Sequence, residues 1–90
     1  MEGTWPDSIR DEMQPLSSLV LYRTPDGWRY AVYAGGVMDG RLRDVPVDAP
    51  ETQAQRALVR FVEEGYGRPV RVAWHMTDPD WWATEASFAE

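Results

Sequence analysis

From Leu19 to Tyr22 the chain is apolar at four consecutive positions. Both faces of such a stretch need burial, which predicts an interior strand. "TPDG" follows as a turn, with Pro25 presetting φ and Gly27 accepting a positive φ. Trp28, Tyr30 and Val32 then alternate with Arg29, Ala31 and Tyr33, the period of a second strand. Gly35 and Gly36 read as a bulge or a close backbone approach. Asp39–Gly40 reads as a two-residue hairpin turn, leading to a third strand from Arg41 to Val47. Pro46 has no amide to donate, so it sets that strand at the sheet edge. This alternation places Val20, Tyr22 and Tyr33 on one face of the sheet and Leu19, Leu21, Trp28 and Tyr30 on the other.

The period changes beyond Pro50. Ala54, Ala57, Leu58, Phe61 and Val62 fall on one helical stripe, predicting a helix from Pro50 to Glu64 with Leu58 and Phe61 buried. Asp48 and Glu51 have the spacing of a capping box. Gly65 is the expected left-handed stop, with Tyr66 folding back on Phe61. "RPVRVAWHMT" predicts a fourth strand, with Val70, Val72, Trp74 and Met76 on one face and Arg71, Ala73 and His75 on the other. "TWPDSIRDEMQP" predicts a short helix capped by Thr4, with Trp5, Ile9 and Met13 on one side. "DPDWWATEASFAE" predicts a closing helix that starts near Thr77 or Asp78. A strand–helix–strand crossover is right-handed and parallel. The expectation is therefore one α+β domain over residues 1–90, with a helical arm at 1–16 and a helical tail at 77–90. Its core is a four-stranded mixed sheet in the order 3-2-1-4 with one principal helix.

Composition narrows the function. Ninety residues bury only roughly 60–65% of the unfolded surface, so large side chains are core or interface residues first. The absence of cysteine excludes disulfides and thiolate metal sites. No segment reads as a signal peptide or reaches the ~20 apolar residues of a membrane span, so a cytoplasmic protein without a membrane partner is expected. Fifteen acids meet nine bases, all of them arginine, for a net charge of −6. Such a surface repels nucleic acid and anionic membranes, and it suits basic partners.

Candidate chemistry centres on "WHMTDPDWW", which holds His75, Asp78 and Asp80. A transition-metal site needs about three or four ligands, and the chain has a single histidine. No metal or other cofactor is expected. Ser8, Ser17, Ser18 and Ser87 sit in no nucleophile elbow. "YAGGVMDG" lacks the ending of a phosphate loop. Glu63 and Glu64 are adjacent, so they diverge on the helix and are expected to be solvated. No residue is assigned a catalytic role. The aromatic residues Tyr22, Trp28, Tyr30, Tyr33, Trp81 and Trp82 are the candidate interface, because tyrosine and tryptophan carry much of the energy of protein interfaces. Arg23, Arg29, Arg41 and Arg43 lie among them, but the net charge disfavours a base-stacking role. The expectation is a non-catalytic protein-binding or regulatory module, with a protein partner or a second copy of itself as a homodimer. The alternatives are an acidic antitoxin or immunity-type inhibitor of a basic enzyme, and a small-ligand binder or enzyme with a pocket near Trp74 and Trp82.

The order strand-strand-strand-helix-strand from Leu19 to Trp74, with the glycine turn and "VPVDAPETQAQRAL" leading into the helix, resembles the HicB-like antitoxins. The resemblance implies a degraded ribonuclease-H-type fold and a small basic ribonuclease as partner. That family often adds a DNA-binding segment after the fourth strand. Here a short acidic tail bearing Trp81 and Trp82 stands in its place, and no residue-specific contacts carry over.

Overall fold

The computed structural model describes residues 16–89. They form an α+β domain of one helix on an antiparallel sheet. The strands are β1 (Ser18–Thr24), β2 (Gly27–Tyr33), β3 (Val37–Arg41), β4 (Val70–Val72), β5 (His75–Asp78) and β6 (Trp81–Phe88); the helix α1 (Glu51–Tyr66) lies between β3 and β4. The strand order is β3-β2-β1-β6-β4, with β5 also paired to β6. The expected helical arm at 1–16 falls almost wholly outside the described residues. Among those described, no helix is long and apolar enough to cross a membrane.

β1 is interior, as its apolar run requires, but its second neighbour is β6 and not the strand after the helix. The expected four strands and the 3-2-1-4 order are thereby corrected to six strands. The crossover is not parallel, because every pairing in the sheet is antiparallel. After α1 the chain returns as β4 and β5 on the outer side. It then reverses through Pro79 and Asp80 and fills the gap beside β1 as β6.

The segment read as a closing helix is therefore the strand β6. Asp80 carries a φ of 62°, a left-handed conformation that aspartate tolerates better than most residues. That conformation reverses the chain where a helix would have started. β6 alternates as a strand should: Trp82, Thr84, Ala86 and Phe88 face the helix side, paired opposite Leu21 and Leu19 of β1 and Val72 and Val70 of β4.

The β2–β3 reversal also differs from the expected one. It falls at Ala34–Gly36, with Gly35 at φ 79° and Tyr33 opposite Val37. Asp39 and Gly40 lie within β3. Gly40 is needed there for proximity, since a Cβ would stand 2.9 Å from the Tyr30 hydroxyl. Pro46 follows β3 in a loop and belongs to no strand.

The helix starts one residue later and ends two residues later than expected. Its N-cap is Pro50, without a side-chain cap from Asp48. Gly67, not Gly65, takes the left-handed stop at φ 70°, and its amide donates to the Glu63 carbonyl at 2.7 Å. Tyr66 packs edge-on against Phe88. Glu63 is not merely solvated: its Oε2 accepts the Val70 amide at 2.8 Å and ties β4 to the helix end.

The core lies between α1 and the sheet. Leu19, Leu21, Trp28, Val32, Ala54, Leu58 and Val62 are fully buried there. Phe61 is only half-buried, at the margin beside Tyr30, with ring centroids 5.3 Å apart. Thr84 is a buried polar residue of β6. Its hydroxyl accepts the Ala73 amide at 2.7 Å and donates to the Glu85 carbonyl at 2.6 Å. Ala73 lies between β4 and β5, where the outer strand is interrupted. Thr84→Val keeps the shape and removes that acceptor. It is expected to destabilise the fold by about 1–3 kcal/mol, the cost of an unsatisfied amide. Urea unfolding followed by circular dichroism measures it, and an unchanged midpoint would mean that water replaces the hydroxyl.

Candidate interaction surface

The sheet face opposite α1 is not covered by any element among the described residues. The pairing registers arrange its side chains in rows. Trp81, Tyr22, Arg29 and Arg41 form one row across four strands. His75, Ala83, Val20, Ala31 and Asp39 form the next. Glu85, Ser18, Tyr33 and Val37 form the third. At its centre the middle row has the small side chains Ala83, Val20 and Ala31, between two rows with large ones. The result is a shallow trough with Ala83, Val20 and Ala31 as its floor.

Its walls carry three aromatic rings, two of them exposed. Tyr22 and Trp81 stack with centroids 4.2 Å apart and planes 8° from parallel. Trp81 is 43% exposed, Tyr33 42% and Val37 57%. Such side chains grouped on one face are a surface that another molecule would desolvate favourably. Arg29 and Arg41 at one end and Glu85 and Asp39 elsewhere give the face charges of both signs.

Three of the six candidate interface residues, Tyr22, Tyr33 and Trp81, meet on this face. Trp28, Tyr30 and Trp82 lie on the helix side. Trp28 is fully buried, and its indole Nε1 donates to the Ala49 carbonyl at 3.3 Å. Val37 was missed, because a hairpin turn at Asp39–Gly40 leaves β3 without the position that pairs with Tyr33.

Arg23, on the helix side of the sheet, ties the β5–β6 turn to the loop before α1. Its Nε meets Asp80 Oδ1 at 3.2 Å, and its guanidinium stacks 4.4 Å from the Trp28 ring. The same group donates to the Val47 and Ala49 carbonyls at 2.6 and 3.2 Å. Asp80 is thus a turn residue held by an arginine. His75 is exposed and sits opposite Ala83 in the register. Among the described residues, no group of three or more histidine, aspartate or glutamate side chains could hold a metal ion.

A second concavity lies on the helix side, away from Trp74 and Trp82. It is an open groove of about 820 Å³ between the edge strand β3, the following loop and α1. Tyr30 and Leu42 lie along it on the sheet side, and Arg56, Ala57, Arg60 and Phe61 on the helix side. Burial raises the Tyr30 hydroxyl above its ordinary 10.0, Asp39 adds to the rise, and Arg43 and Arg29 oppose it. Tyr30 therefore remains a neutral hydroxyl at physiological pH.

Comparison of the chain with protein-family models, with curated proteins and with solved structures finds no match to any of them.

Proposed function

We propose that this protein is a non-catalytic protein-binding module that works through the open sheet face, with a second copy of itself as the partner. The observation that carries this reading is the trough, with a small-residue floor and walls built from Trp81, Tyr22, Tyr33 and Val37. One helix covers only one face of a sheet, and an aromatic second face favours burial against another chain. A two-fold pairing presents the same patch from both copies. The mixed charges suit it, since Arg29 or Arg41 of one copy finds Glu85 or Asp39 on the other.

Sedimentation equilibrium tests this. At tens of micromolar protein the mass should approach twice the 10.3 kDa of the chain, and Trp81→Glu should return it to the single-chain value. A single-chain mass at every concentration would refute the homodimer. A second reading, the acidic inhibitor of a basic enzyme, is favoured by the net charge of −6. Salt separates the two, because an acid–base complex weakens steeply with ionic strength and an aromatic pairing does not.

A further inference from the structure

We infer that the groove between β3 and α1 is a second binding site, which takes an extended acidic peptide as an added strand. This site opens on the other side of the sheet from the trough and shares with it only the β3 residues Asp39 and Arg41. The backbone argument comes first. β3 is an edge strand, paired only with β2 among the described residues. The Leu42 amide donates to the Trp28 carbonyl at 2.9 Å. Hydrogen-bonded pairs alternate along an antiparallel ladder. The register then makes Gly40–Tyr30 and Met38–Val32 the bonded pairs. Val37, Asp39 and Arg41 are left with amides and carbonyls directed away from β2. Asp39, Gly40 and Arg41 are also the β3 residues that line the groove. An unpaired row of backbone groups beside a helix is the setting in which peptides bind by strand addition, with the neighbouring wall reading side chains.

The charge argument supplies the chemistry of the peptide. Acids outnumber arginines fifteen to nine in the whole chain. Along the groove the balance reverses: Arg43, Arg56 and Arg60 line it with Asp44 and Glu64, while Asp39 and Arg41 border it as residues of the edge strand. The ion pair formed by arginine among the described residues, Arg23 with Asp80, lies elsewhere. Arg56 and Arg60 are one turn apart on α1, so they face the groove together. Arginine presents a planar fork that matches a carboxylate. Gly40 leaves room over the Tyr30 hydroxyl, which adds a neutral donor between the strand and the helix.

Two capped pentapeptides test the site, Thr-Glu-Val-Glu-Thr and Thr-Lys-Val-Lys-Thr, titrated into the ¹⁵N-labelled full chain. The glutamate peptide should shift the Val37, Asp39 and Arg41 amides saturably and protect them from hydrogen exchange. The lysine peptide should bind at least about tenfold more weakly, as charge reversal at a complementary site requires. The double variant Arg56→Gln with Arg60→Gln changes only exposed side chains and should weaken the glutamate peptide at least about fivefold. Asp39→Pro removes an outward amide without removing a ladder bond, and it should abolish binding while core amides stay protected. No shift at millimolar glutamate peptide would overturn the proposal. So would equal binding of the lysine peptide, or shifts confined to the helix. The trough stands or falls separately, on the mass of the Trp81→Glu variant.

Discussion

Replacing Trp28 by alanine should leave the chain largely unfolded at room temperature. Trp28 heads the fully buried side chains by volume. Truncating such a residue costs about 3–5 kcal/mol. A domain of this length has a total stability on the order of 5 kcal/mol, at the lower end of the usual range. The loss extends beyond packing. The indole also seats the Arg23 guanidinium, which in turn holds the Val47 and Ala49 carbonyls and Asp80. Without the ring, the loop before α1 and the β5–β6 turn lose their common anchor. Trp28→Phe keeps a ring under Arg23 and forfeits the bond from Nε1 to the Ala49 carbonyl. That carbonyl still accepts from Arg23, so the milder change should cost about 1–2 kcal/mol. Urea unfolding of both variants checks the order. A Trp28→Ala protein with a native spectrum and a midpoint near that of wild type would show that the core does not depend on this side chain.

Leu58→Ala should be the next most damaging change, at about 2–5 kcal/mol. Leu58 is fully buried and sits on the inner stripe of α1 with Ala54 and Val62. Phe61 makes the useful contrast. It is the larger residue, but it lies at the groove margin and keeps part of its ring in solvent. Its truncation should cost less than that of Leu58, although the lost side chain is bigger. If Phe61→Ala has the lower urea midpoint, the inner stripe of the helix has been assigned to the wrong residues.

The sequence discloses burial more readily than pairing. The unbroken run Leu19–Tyr22 requires neighbours on both sides, and β1 has them. The stripe through Ala54, Leu58 and Val62 marks the helix and its inner face. Alternation in β2 places Trp28 and Tyr30 against the core and Tyr33 outside. What does not appear is which strand lies beside β1, because that depends on long-range packing. "WWATEASF" holds two alanines and a glutamate and follows Asp-Pro-Asp, which favours a helix start. A vacant edge on β1 overrides that preference. The period of two in Trp82, Thr84, Ala86 and Phe88 is the one local trace of it. Asp39–Gly40 fails for a related reason: the dipeptide favours a turn in isolation, while Tyr30 needs a neighbour without a side chain. The open trough was half legible. Tyr22 and Tyr33 share a face by alternation, but Trp81 joins them only once its segment is known to be a strand.

The interruption at Ala73 and Trp74 bears on how the protein can polymerise. Sheet proteins form fibres when two different edges accept each other, since that contact repeats without closing. Here one side of the sheet is split into pieces of three and four residues. The amide between them is turned inward to Thr84. Neither piece gives an incoming strand a long template. Among the described residues β3 is the continuous edge that remains, and it lacks a second, different edge of comparable length to accept it. Thr84, a single hydroxyl in the core, thus sets where the outer side of the sheet is broken.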